Sequence, residues 1–116
     1  MSDLTITKLI EESHGTAKEK GWWDEGPDND RSFGTTLALM HSELSEALEE
    51  YRNGKALNEI WYQDNGKPEG IPVELADVII RICDNAGKYD MPLLRALTEK
   101  LAYNKTRPYR HGGKKA

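Results

Sequence analysis

Disulfide chemistry is the first thing this chain lacks. Cys83 is its single cysteine and lies in an apolar run; one thiol cannot bridge internally, so a reducing, cytoplasmic setting is expected. No apolar run approaches the roughly 18 to 20 residues of a membrane helix, so a membrane partner is not expected. The opening stretch "MSDLTITKLIEESHG" has no basic region followed by a greasy segment, and no secretion signal is expected from it. Alternating apolar and polar positions, the mark of a half-buried strand, are missing as well. So is a broad excess of positive charge: the net charge is −4, which argues against a nucleic-acid polymer as partner.

What is present fits one domain over residues 1–116 with one modest core. A charged fraction of 31% beside a hydrophobic fraction of 37% suits a soluble chain that completes its core by oligomerising. The charge is unevenly spread. Residues 105–116, "KTRPYRHGGKKA", hold five basic side chains and no acid, leaving 11 basic against 20 acidic groups elsewhere, a net of −9. An acidic body suits bound cations, and a basic C-terminal tail suits a small anion.

Helical spacing of apolar residues predicts four helices, over residues 4–20, 32–52, 72–87 and 92–106. Gly21 and "NG" at 53–54 are stops, Asp90 is a candidate cap and Pro92 falls in the last helix's first turn. The connection after the second helix is expected to hold a short helical turn over residues 56–61. Four helices with one long connection imply an all-α, bundle-like domain.

Two of these helices carry a paired-acid device. In "LMHSELSEALEEYR" (39–52) the apolar stripe is Phe33, Leu37, Met40, Leu44, Leu48 and Tyr51, and Glu43, Glu46 and Glu50 gather on one flank. In "PVELADVIIRICDNA" (72–86), apolar residues cover most of the circumference and Glu74, Asp77, Arg81 and Asp84 share one narrow strip. A helix apolar nearly all round is expected to be buried, and an unpaired buried carboxylate either protonates or finds a cation. Spacing of i, i+3 puts both acids of a pair on one helical face. Glu43 with Glu46 and Glu74 with Asp77 would thus offer oxygens to one or two ions, and hard oxygen donors favour Mg²⁺ or Mn²⁺ over zinc. The competing readings are a solvated acidic face on the second helix and a structural ion pair through Arg81 on the third.

The order "HSELSEALEEYR", then "ELADVIIRICDNAG", then "YNKTRPYRHGGK" closely resembles the MazG-like members of the all-α nucleoside triphosphate pyrophosphohydrolase superfamily, over residues 21–115. The resemblance implies an all-α fold that assembles as a homodimer or dimer of dimers. It implies Mg²⁺ bound by Glu43, Glu46, Glu74 and Asp77, and hydrolysis of a nucleoside triphosphate to the monophosphate and pyrophosphate. Water would attack the α-phosphorus, with Glu43 or Glu46 accepting its proton. Asn104, Lys105, Arg107, Arg110, His111 and Lys114 would grip the phosphates. Ser42 stands where the family often has a further acid, leaving the number of ions open.

Trp22 and Trp23, in a polar loop, are candidates to stack a base, or to cap the core. Glu11-x-x-His14 is the pair that di-iron carboxylate bundles use, but neither His41 nor His111 has an acid three residues earlier to supply a second pair. A non-catalytic helical interaction protein is the remaining alternative.

Overall fold

The computed structural model describes residues 3–26 and 32–109. It is mostly helical, in the order α1 (Ile6–Glu19), α2 (Phe33–Arg52), β1 (Trp61–Tyr62), β2 (Pro68–Glu69), α3 (Ile71–Lys88) and α4 (Leu93–Thr106). Thr5 caps α1 by accepting from the Lys8 N–H, and Ser32 caps α2 by accepting from that of Thr35.

Three helices end the same way. Beyond α1 and α2, Gly21 and Gly54 take positive φ (80° and 86°), and the next N–H returns to a carbonyl five residues back: Trp22 to Ala17, Lys55 to Glu50. Asp90 does the same after α3, with φ 51° and Met91 N–H bonded to the Ala86 carbonyl. Asp90 therefore closes α3 rather than capping α4, whose N-cap position is Pro92. An aspartate can stand in for glycine there because its short polar side chain tolerates the left-handed region.

The long connection differs from expectation. Residues 57–58 form a turn, not a helix, and Trp61–Tyr62 pairs antiparallel with Pro68–Glu69 around a turn at Gly66. Strands of two residues are too short to display alternation.

α1 and α2 both pack on α3. The contact layer is built from small side chains: Ala17, Ala47, Cys83 and Ala86 are buried with Met40 and Ile71, alongside Ser13, Thr36, Asp84 and Asn85. Thr36 Oγ1 donates to Asn85 Oδ1 at 3.0 Å, and Asn85 Nδ2 to the Arg81 carbonyl at 2.8 Å, so the buried amide is satisfied. This corrects the expected core. The face that α2 turns toward α3 carries Thr36, Met40 and Ala47, whereas Phe33, Leu37, Leu44, Leu48 and Tyr51 are exposed. Nor is α3 buried all round, since Leu75, Ile79, Ile80 and Ile82 are exposed.

Candidate functional site

The pairings of Thr36 with Asn85, Glu43 with Arg81 and Glu46 with Glu74 run α2 and α3 antiparallel. That geometry brings the two acid pairs face to face. One carboxylate oxygen each from Glu43, Glu46 and Glu74 lies within 4.8 Å of the others. Asp77 is outside this trio but one turn along α3 from Glu74. It is near enough that the Glu43 charge, after burial, pushes its carboxyl upward, with Arg81 pulling it back down.

Glu74 bears the most strain. Burial first, then a hydrogen bond with Glu46, then the charges of Glu46, Asp77 and Glu43 push it from 4.5 up to about 7. Its Oε2 is buried with no hydrogen-bond partner, as is Oε2 of Glu50 farther along α2. A buried oxygen left without a partner costs about 1–3 kcal/mol. These observations fit a divalent cation. Hard carboxylate donors converge on one point, an orphaned oxygen lacks a donor, and among the described residues no histidine or cysteine joins the trio. The donor set suits Mg²⁺ or Mn²⁺.

Arg81 complicates Glu43 without disqualifying it. Its Nε donates to Glu43 Oε1 at 3.0 Å, and its Nη2 makes an ion-pair contact with the same oxygen at 2.9 Å. The pair engages one oxygen only, so Oε2 stays outside it. The structural ion pair and the metal-ligand reading of the strip are thus compatible.

Beside the acids opens a pocket of about 470 Å³ between α1 and the α2–α3 hairpin, within the range of small-molecule sites. Leu9, Ala17, Ile80 and Trp22 supply its apolar wall, and Glu12, Glu43, Asp77, Arg81 and Asp84 its charged side. Gly87 lets α1 approach closely, because a Cβ there would lie 2.6 Å from that of His14. Buried Asp84 ties the wall together. Its Oδ1 accepts from His14 Nδ1 at 2.9 Å and from Trp23 Nε1 at 2.8 Å. Trp23 also meets His14 and Tyr89 edge to face.

The structure thus separates the two tryptophans: Trp22 lines the pocket, while Trp23 braces its wall. Glu11 is exposed and His14 is engaged by Asp84, so this pair does not join the acid trio. Asn104, Lys105 and Arg107 stand at the C-terminal end of α4, and none of them lines the pocket. Arg110, His111 and Lys114 lie outside the described residues. Sequence reasoning missed the His14–Asp84–Trp23 network; its one signal was Asp84 lying in the polar strip of an otherwise apolar helix. No described helix is long and apolar enough to cross a membrane. Comparison of the chain with protein-family models, curated proteins and solved structures returns no match.

Proposed function

We propose that this chain is a Mg²⁺-dependent nucleoside triphosphate pyrophosphohydrolase of the MazG-like kind, releasing the monophosphate and pyrophosphate. The observation that carries the reading is the convergence of Glu43, Glu46 and Glu74, with Asp77 beside them, at the edge of a 470 Å³ pocket. Acids without a pocket would suit a structural ion. A pocket lined by four carboxylates and one guanidinium would repel a triphosphate unless a cation stood between them.

In this reading Glu43, Glu46, Glu74 and Asp77 hold Mg²⁺, or Mn²⁺ in its place. The ion's contribution is to offset phosphate charge and favour ionisation of the attacking water. Glu46 is the most exposed of the trio and takes that water's proton, with Glu43 as the other candidate base. Glu74 stands beside Glu46 and would hold the ion with it once the proton shared between them is released. The pocket receives the nucleoside against Leu9, Ile80 and Trp22. Arg81 and the basic side chains Lys105, Arg107, Arg110 and Lys114, with Asn104 and His111, engage the phosphates. The working form is a homo-oligomer in the cytoplasm, supported by the large apolar side chains left exposed on α2 and α3.

Hydrolysis in ¹⁸O-water tests the chemistry. Label is expected in the nucleoside monophosphate, and Asp77→Asn is expected to keep the fold and lose most turnover. Label in pyrophosphate or in free orthophosphate contradicts attack at the α-phosphorus. A second reading, a helical interaction module, is favoured by the same exposed apolar faces; it predicts no turnover with any nucleotide.

A further inference from the structure

The pocket has two chemically different ends. On α3, Asp77 stands beside the acid trio, and Asp84 lies about 10 Å farther along the helix axis. Glu43 and Arg81 pair at the first end. The second end is held by α1. His14 bonds Asp84 there, and Glu12 and Ser13, just before His14 in the chain, line the pocket at that level. Thr16 follows Glu12 one turn on along the same face. A nucleotide whose phosphates meet the Glu43 and Asp77 end therefore extends its base toward Glu12, Ser13 and Asp84.

The second end is built from acceptors. Among the described residues that line the pocket, Arg81 is the one cation, and no asparagine, glutamine, lysine or histidine occurs. Asp84 is buried, and its Oδ1 already accepts from His14 Nδ1 and Trp23 Nε1, so it braces this end. Glu12 differs. Its side chain is exposed, and among the described residues no hydrogen bond or ion pair engages it. An ionised carboxylate accepts and cannot donate, whereas the hydroxyls of Ser13 and Thr16 serve either way.

We infer that this end of the pocket selects nucleotides whose base carries an exocyclic amine, as adenine, cytosine and guanine do, and that Glu12 reads that amine. The inference rests on the proposed nucleotide site and names the class of base it takes. An amine N–H donates to the Glu12 carboxylate, the same pairing by which carboxylates read the cytosine amine in nucleic acids. Uracil, thymine and hypoxanthine present a carbonyl or a bare carbon instead. A carbonyl would set two acceptors against each other with no proton between them. A site built around a hydrogen bond rejects the analogue that lacks it, which an apolar wall does only weakly. Leu9, Ile80 and Trp22 pack against any base alike, so they supply affinity without this choice. Because Glu12 is solvated, the discrimination expected is about tenfold, toward the low end for a base-edge contact.

Equilibrium binding of matched monophosphates to the full chain tests this, with Mg²⁺ present and tryptophan fluorescence as the readout. The pairs are cytidine against uridine monophosphate, and guanosine against inosine monophosphate. The wild type is expected to bind the amine-bearing member of each pair about tenfold more tightly. Glu12→Gln is expected to keep the wild-type circular dichroism and to bring both ratios within about twofold, because an amide both donates and accepts. Glu12→Asp should keep the direction of preference. A merely structural Glu12 would change affinity for both members together and leave the ratios alone. Equal affinity within each pair, or ratios that survive Glu12→Gln, overturn the inference and leave the hydrolytic assignment to its own test. The expected preference without pyrophosphate release from any triphosphate supports the inference and contradicts hydrolysis. Failure of all four monophosphates to bind overturns the inference and the nucleotide site together.

Discussion

Arg81 reaches from α3 to one oxygen of Glu43 on α2, Nε donating a hydrogen bond at 3.0 Å and Nη2 in ion-pair contact at 2.9 Å. The arrangement places a fixed cation beside a set of carboxylates that otherwise repel one another. Arg81→Ala is therefore expected to lower stability in EDTA by about 1–2 kcal/mol, the upper end being discounted because Arg81 is a third exposed. The same change removes a positive charge that competes with a metal ion. Mn²⁺ binding, followed by electron paramagnetic resonance, is expected to tighten several-fold. Weaker binding would mean that Arg81 serves chiefly to orient Glu43.

The pH response has a defined sign. Glu74 is pushed up from 4.5 to about 7 by burial and by Glu46, so between those values the folded chain binds more protons than the unfolded one. Stability then falls as pH rises, and this group's contribution is fullest below about pH 4.5 and lost by about pH 7. Metal-free wild type is expected to lose stability relative to Glu74→Gln across that window, measured by urea unfolding in EDTA. Mg²⁺ added at pH 6.5 should release protons and reverse the loss. A difference between the two proteins that stays flat with pH contradicts the environment assigned to Glu74.

The close approach of α1 to α3 makes a prediction opposite to helix propensity. Alanine in place of an exposed helical glycine ordinarily gains roughly 0.5–1 kcal/mol. At Gly87 the added Cβ would stand 2.6 Å from His14 Cβ, where neighbouring backbone must shift. Gly87→Ala is expected to cost about 1–3 kcal/mol by chemical denaturation. A stabilised variant would show that α1 sits farther from α3.

Trp23→Phe separates bracing from substrate binding. It removes the donor to buried Asp84 Oδ1, and is expected to cost about 1–2 kcal/mol while leaving KM nearly unchanged. Trp22→Ala, at the pocket wall, is expected to raise KM with little loss of stability. The reverse pattern would return base stacking to Trp23.

The four helices and their paired acids were legible in the sequence because both depend on local spacing. Gly21 and Asn53–Gly54 announced their stops, and the i, i+3 acids announced a shared face. Which apolar residues would be buried was not legible. Hydrophobicity marked Leu44 and Leu48 as core, but α3 approaches α2 over Thr36 and Ala47, where small side chains allow close contact. Asp84 was visible only as a charge in a greasy helix; its partners His14 and Trp23 are 70 and 61 residues away. Pairing at that range depends on how helices dock, which periodicity does not encode.

The most direct test of the central claim is product analysis from the purified full chain with Mg²⁺ and a panel of common and modified nucleoside triphosphates. Pyrophosphate and monophosphate are expected in equal amounts from at least one substrate. That turnover should stop on adding EDTA, return with Mg²⁺ or Mn²⁺, and be largely lost in Glu46→Gln with the fold intact. Orthophosphate and diphosphate as products, or no pyrophosphate from any triphosphate at saturating Mg²⁺, would contradict it.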